Sequence, residues 1–483
     1  MAVKDLPSEK NSSVKEESEI ESVPPKEQPA PPLPYTAFTN TRRNIILAVV
    51  TCAGFLGPLA GNIYIPILPL MSEAFNVSTS IINGTVSVFM AVFAFSPLVW
   101  AALADVGGRK SLYMFSLLIF LVANILLTFL PAHIGALYTL RVIQAIGSSS
   151  VLSVGAGTVA DITPPTIRGK TIATFMLGPQ LGPIIGPILS LATTNGQWRW
   201  SFGILSIFTI VVYIAILFLL PETLRYLVGR GECYEGKSYF VKPKLYEKKR
   251  TAEDAKYPKP PKLSPLLYFK LARYLPVLIS SVAGGLLFAS FYGISVTFSR
   301  VLTNDYHFSN LHVCLSYLCP GIALIIGSMI SGRLSDKLRR NRIAKGISFI
   351  PEDRFPIQLI GFLVAIAGFT GYGWTCEKHS HVVSIFVTVF ISCFGTTWVL
   401  VTNLTYLTES AEGIPASNVA FGNFMRNAGA AICSGIITKL VERMGYGWCF
   451  TGLAFVNLGG ATFMILLFSK GKHWREKYGY LTK

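Results

Sequence analysis

Residues 175–190 read FMLGPQLGPIIGPILS, an apolar run of helical length with Gly-Pro pairs at 178–179, 182–183 and 186–187. Gly and Pro disfavour a helix interior by ~1 and ~3 kcal/mol relative to Ala. In a bilayer both are tolerated, provided the freed backbone groups find partners in protein or in a water-lined cavity. Each Pro lacks an amide hydrogen, so the carbonyls of Phe175, Pro179 and Pro183 lose their regular partners along one stripe. Lipid cannot supply a replacement, so that stripe must meet a helix or a cavity, while Gly178, Gly182 and Gly186 let a neighbour come close.

The rest of the chain agrees with a membrane setting. Of 483 residues, 51% are hydrophobic, only 14% are charged and 32 are Phe, too oily for a soluble protein of this size. Stretches near or above the ~20 apolar residues that cross a bilayer as a helix recur along the sequence. Twelve spans are expected, at 44–68, 81–102, 111–131, 135–159, 170–192, 200–220, 275–298, 311–332, 356–375, 382–405, 415–438 and 447–469. The fold class is therefore an all-α polytopic membrane protein. Its twelve transmembrane helices form two pseudo-symmetric six-helix bundles, 44–221 and 274–470.

Flanking these bundles are a polar, Pro-rich tail, 1–43, expected to be disordered, a basic central loop, 222–273, and a C-terminal tail, 471–483. Nothing in the first tail has the apolar core of a cleavable signal peptide. The net charge of +17 could suggest nucleic acid, but most Lys and Arg fall in the tails and in alternate loops. The positive-inside rule then places both termini in the cytoplasm and excludes a nucleic-acid partner. Basic runs such as YEKKR and KYPKPPK in the central loop fit topology plus attraction to anionic lipid headgroups, with a partner-binding role as the alternative. The eight cysteines show neither zinc nor disulfide spacing and read as small packing residues, so no metal is expected. Asn76-Val-Ser78 is a glycosylation sequon, but it lies too close to the membrane to be an expected acceptor.

The two halves share a loop. ALADVGGRK follows span two, with Asp105, Gly108, Arg109 and Lys110; GRLSDKLRRN follows span eight, with Gly332, Asp336, Lys337, Arg339 and Arg340. An acid followed by a tight basic turn at a cytoplasmic helix end can pair with neighbouring helix termini and hold one closed arrangement, broken on opening. A solvated loop obeying only the charge rule is the alternative for one copy; two copies in register favour a gate.

These loops resemble those of the major facilitator superfamily, whose motif runs Gly, three residues, Asp, a basic residue, any residue, Gly and two basic residues. The first copy has Ala101 and Val106 at the leading Gly and first basic positions; the second has Arg339 where the second Gly belongs. Arg141, Gln144 and Gly147 in RVIQAIG match the family's Arg-x-x-Gln-x-x-Gly pattern, and GPQLGPIIGP is similar to the fifth-span motif of its antiporters, with Pro187 where the family has Gly. PETLR after span six and PEDRF before span nine resemble the fungal drug:proton antiporters with twelve spans, particularly the quinidine-resistance-like branch. The resemblance covers about 44–470.

Within the spans, Arg141 should face the interior or water, because an Arg at mid-membrane costs about 2.5–3.5 kcal/mol. Gln144, one turn on, can share its network. The choice is between a relay or substrate group and an Arg that merely holds backbone carbonyls. Asn423, Arg426 and Asn427 share one face of span eleven and read as part of the translocation path rather than as helix-packing glue. Asn62 and Tyr64 in span one are further candidates. No Asp or Glu falls well inside a span, so Asp161, then Asp105 and Glu409, are the remaining proton carriers, each of which would have to hold a proton near neutrality, which burial favours. His312 reads as an interfacial residue or a relay.

Aromatic residues such as Phe89, Phe93 and Phe95, and Phe288, Phe291, Tyr292 and Phe298, suit flat or amphipathic organic molecules. The resemblance implies a secondary active exporter of drugs or small organic compounds, a monomer in the plasma membrane, driven by a proton gradient with no cofactor. A nutrient importer or uniporter is the alternative within transport, and a sensor without transport the alternative outside it. No nucleophile, metal set or acid pair at membrane depth suggests an enzyme, and no phosphate-cradling loop suggests ATP. Span five is expected between the halves, bending or sliding there, so that Gly182→Leu stops transport in a folded protein.

Overall fold

The computed structural model describes residues 35–64, 68–129, 133–191, 197–231, 266–410 and 414–478. The expected disorder of 1–34, most of the central loop and residues 479–483 lie outside them. The helices are α1 (Asn40–Asn62), α2 (Leu68–Ala74), α3 (Thr79–Gly107), α4 (Arg109–Phe129), α5 (Ile134–Ile162), α6 (Arg168–Leu191), α7 (Arg199–Leu219) and α8 (Arg225–Val228) in the first part of the chain. In the second part they are α9 (Leu266–Arg273), α10 (Leu275–Asn304), α11 (Asn310–Ser316), α12 (Leu318–Ala344), α13 (Phe355–Glu377), α14 (Val382–Glu409) and α15 (Pro415–Tyr478), with a 3₁₀ turn over Pro351–Arg354.

Among the described residues, 11 helices are long and apolar enough to cross a membrane. The last of these, α15, is two limbs joined at Gly445 (φ 75°), so the twelve expected spans are present. At that break the Glu377 carboxylate accepts from the amides of Tyr446 (2.7 Å) and Gly447 (3.3 Å), capping the second limb. Large apolar side chains left outside the packed interior, such as Phe95, Phe129, Phe218, Trp448 and Phe455, are suited to lipid.

Of the two large buried cores, the first lies mainly in the first part of the chain but takes in Val401, Leu407 and Phe421 of the second, and the other lies wholly in the second part. The first gathers Phe89, Phe120, Phe175 and Phe202; the other gathers Phe298, Phe355, Phe362, Phe369 and Phe450. The tails differ from expectation at their inner ends. Tyr35 is clamped: the Arg225 guanidinium stacks 3.5 Å from its ring centroid, Arg168 Nη2 donates to its hydroxyl (3.0 Å), and α1 already begins at Asn40. At the other end, α15 runs through Tyr478, and Arg475 pairs with Glu352 at 3.1 Å.

Helix α6 keeps all three prolines inside one continuous helix. Its glycine stripe faces α1, within the same half: a Cβ on Gly178 would lie 2.0 Å from the Thr51 carbonyl oxygen, on Gly182 2.7 Å from Leu59 N, and on Gly186 2.8 Å from Ile63 N. On another face α6 meets α12 of the second half, where Ser328 Oγ donates to Ala173 O (2.9 Å) and a Cβ on Gly332 would lie 2.6 Å from Gly169 O. Span five therefore does lie between the halves, but the expectation for Gly182→Leu needs correcting. The neighbour it would displace is α1 backbone, so the damage falls on assembly of the first half.

Candidate functional site

The end of the bundle that carries both acid-basic loops is cross-braced by two matched clusters. In the first copy, Gly108 takes φ 102°, a region L residues rarely adopt, and this break lets α4 start at Arg109 immediately after α3 ends. Arg109 then folds back between two acids, donating from Nη1 to Asp105 Oδ1 (2.8 Å) and from Nε to Asp161 Oδ2 (3.0 Å). Glu222 of PETLR accepts from the amides of Arg109 (2.8 Å) and Lys110 (3.1 Å), satisfying donors that a helix start leaves open. Lys110 Nζ is turned to Leu217 O (2.8 Å) in the same half.

The second copy departs from the expected tight basic turn. With Arg339 where the first copy has Gly108, nothing breaks the helix, and α12 runs on to Ala344. Lys337 and Arg340 are carried outward and exposed, and Arg339 reaches Glu409 at 3.4 Å. The place held by Arg109 in the first half passes to Arg354 of PEDRF, which contacts Asp336 at 3.5 Å and Glu409 at 3.0 Å. Sequence reading passed over Arg354 because it lies outside the loop motif; its signal was a buried-type Arg beside two acids just before span nine.

Each loop acid also caps a helix of the opposite half. Asp105 accepts from the Ser417 amide (2.9 Å), the Ser417 hydroxyl (2.6 Å) and the Ala416 amide (3.4 Å) at the start of α15. Asp336 accepts from the amides of Gly169 (2.9 Å) and Lys170 (2.7 Å) at the start of α6. Arg168 and Glu409 add a cross-half ion pair at 3.7 Å. A carboxylate at a helix N-terminus gains both open N–H donors and the positive end of the helix dipole. Asp105, Asp161, Asp336 and Glu409 thus each pair with an arginine at this end of the molecule, and separating the halves there requires breaking both caps.

Deeper in the bundle, charged side chains are few among the described residues. Arg141, fully buried on α5, is sandwiched between the rings of Tyr64 (4.3 Å to the centroid) and Phe89 (4.2 Å). Its Nη1 donates to Gln144 Oε1 (2.6 Å), Gln144 Nε2 to Asn124 Oδ1 (2.6 Å), and Asn124 Nδ2 to Phe120 O (2.7 Å). Asn124 was missed in sequence as a lone Asn in an apolar run. Asn124→Leu should strand the buried Gln144 amide and lower stability by about 1–3 kcal/mol, read as a lower thermal midpoint of the purified full chain.

Of the remaining candidates, Tyr64 bonds Thr85 at 2.5 Å and forms the wall of the Arg141 site, whereas the Asn62 amide is turned back to Pro58 O (2.7 Å) of its own helix. Asn423 Nδ2 donates across the halves to Ser153 Oγ (3.3 Å), and Arg426 lies over the Phe288 ring at 4.7 Å. His312 is exposed and bonded to Ser309 (2.7 Å), outside the polar interior. The structure thus brings Arg141, Gln144 and Tyr64 together, and Asp105, Arg109 and Asp161 together, as separate sites.

Residues 50–432 match the family model described as Major Facilitator Superfamily. The chain is 44% identical to Dityrosine transporter 1 of Saccharomyces cerevisiae, covering 90% of this chain and 81% of that one. It is 43% identical to Multidrug transporter DTR1 of Candida glabrata, covering 92% and 87%. Among solved structures it is similar in fold to the proton:xylose symporter XylE, with a TM-score of 0.66 and 15% identity over 89% of this chain and 97% of that one. The match runs through most of the chain, including both loops: the chain belongs to the Major Facilitator Superfamily, as a multi-pass membrane transporter similar to the two fungal transporters just named.

Proposed function

We propose that the protein is a secondary active exporter of small organic compounds, working by alternating access between its two halves as a proton antiporter in the plasma membrane. In this reading both termini and the doubly capped end face the cytoplasm, the protein acts as a monomer, and it needs no cofactor. The observation that carries it is the reciprocal pair of caps, Asp105 on α15 and Asp336 on α6. Such a pair forms or breaks as a unit and so defines two states rather than a continuum. The dityrosine and multidrug names of the relatives, together with the fifth-span motif, support export of small organic molecules.

In the coupled cycle Asp161 is the proton carrier: taking up a proton would weaken its hold on Arg109, which also holds Asp105. One proton moving inward gains about 2.3 kcal/mol per 100 mV. Facilitated exchange without protons is the second reading, favoured by the lack of any Asp or Glu at mid-depth among the described residues. Efflux of a drug and dityrosine panel from proteoliposomes under an imposed pH gradient separates the two. Wild type should respond to the gradient and Asp161→Asn should lose that response, while Arg141→Ala should lose efflux altogether. Efflux unchanged on dissipating the gradient would remove proton antiport.

A further inference from the structure

Segments that precede a first helix are poorly ordered unless something ties them down. Residues 35–38, just before α1, are tied at every position. The Tyr35 hydroxyl accepts from Arg168 Nη2 (3.0 Å) and donates to Ala160 O (3.3 Å), while Arg225 covers the ring and donates from Nη2 to the Tyr35 carbonyl (2.9 Å). Thr36 Oγ1 and the Ala37 amide both donate to Arg230 O, at 3.3 and 2.9 Å. Phe38 is buried, and a Cβ on Gly231 would lie 2.8 Å from its ring. Ordering these four residues costs conformational entropy, which the contacts must offset.

What the segment grips belongs to the capped end. Arg168 begins α6, and the next two amides carry the Asp336 cap from the second half. Its Nη2 faces three oxygens of the first half, those of the Tyr35 hydroxyl, Ala160 O (3.2 Å) and Thr163 O (3.1 Å), while Nη1 points to Glu409 of the second half at 3.7 Å. A guanidinium is planar and rigid, so fixing Nη2 fixes where Nη1 points. Arg225 gives a second route: its Nε donates to Asp161 O (3.0 Å), which joins the Tyr35 ring to the end of α5 beside the Asp161–Arg109 pair.

We infer that Tyr35–Phe38 is a clasp on the capped end and that Tyr35 is a positioning residue of the gate. By holding Arg168, it keeps the guanidinium aimed at Glu409 and biases the two halves toward their closed arrangement. Releasing the clasp opens that end, which makes the segment before α1 a control point on transport. The inference rests on the two-state reading above and adds to it a residue outside both loop motifs.

Thiol labelling of the full chain in detergent tests it, with Ser328→Cys as the reporter in every sample. Ser328 is buried on α12 and donates to Ala173 O across the halves, so a water-soluble maleimide reaches residue 328 only when the capped end parts. Where opening is fast relative to the reaction, the labelling rate follows the open population. Tyr35→Phe keeps the ring but drops the hydroxyl and should label about threefold faster, and Tyr35→Ala about tenfold faster. In a Glu409→Gln background Tyr35→Phe should add nothing, because the hydroxyl acts through the Arg168–Glu409 pair. Removing residues 1–34 should leave the rate unchanged. An unchanged rate in Tyr35→Ala, an equal effect of Tyr35→Phe with and without Glu409→Gln, or acceleration on removing 1–34 overturns the inference. So does equal acceleration at native Cys393, buried in the second-half core, because that reports unfolding rather than opening. If Tyr35→Ala fails to fold, Tyr35→Phe and its cycle with Glu409→Gln decide. Asp105→Asn with Asp336→Asn separates the two readings. Labelling that speeds there but not in Tyr35→Ala removes only the clasp, and labelling that speeds in neither removes the clasp and the two-state reading together.

Discussion

Asp105→Asn combined with Asp336→Asn should lengthen and broaden the distance between spin labels placed at Lys170 and Lys337, two exposed positions on opposite halves at the capped end. Together the two carboxylates accept from the amides of Ala416, Ser417, Gly169 and Lys170. An Asn keeps the shape but loses the charge, and hydrogen bonds to ionised acceptors contribute about 1.5–3 kcal/mol each against about 1 for neutral ones. A combined shift of about 3 kcal/mol would change the ratio of closed to open states roughly a hundredfold. Each single substitution should give a smaller change, because one cap remains. Double electron–electron resonance on the labelled full chain reads the distance directly. An unchanged distribution in the double variant would mean that apolar packing of α6 on α12 holds that end closed.

Gly178→Ala should strongly destabilise the packing of α6 on α1 in the first half, although it adds one methyl group. The new Cβ would lie 2.0 Å from the Thr51 carbonyl oxygen, an atom of the α1 backbone with no side-chain rotation to relieve it. Overpacking commonly costs 1–3 kcal/mol, and a backbone obstacle places this case at about 3 kcal/mol or more. Gly435→Ala is the matched control, since a Cβ there meets nothing within 4 Å and the site is exposed in mid-helix. It should be neutral, or stabilising by about 0.4–1 kcal/mol. Thermal unfolding of the two purified variants, followed by loss of the monodisperse peak, measures the contrast. Equal midpoints would show that α1 and α6 can separate without consequence.

Much of the architecture was legible because it depends on local composition. A run of about 20 apolar residues must become a helix in lipid whatever its neighbours are, and the twelve spans follow from that. Arg141 had to be interior for a similar reason, since no lipid-facing position accepts a fixed charge cheaply. The Asp161 and Glu409 positions at the ends of spans four and ten were legible too, though not the Arg residues that bind them.

What remained undetermined was which surfaces meet. Three glycines in register announce a close neighbour, but the stripe cannot say whether that neighbour is α1 of the same half or α12 of the other; helix rotation within the bundle set it to α1. The second loop motif looked like a repeat of the first, yet Arg339 in place of a glycine keeps α12 helical through Ala344 and hands the bridging role to Arg354. Asp105 and Ser417 are separated by most of the chain and meet only because the halves pack against each other. The sequence by itself determined the helices, their number and the charges they had to hide, since those follow from each residue's own transfer free energy. Only the tertiary structure decided the partners of those charges, because pairing depends on helix rotation and on approach between halves, which no short stretch of chain encodes.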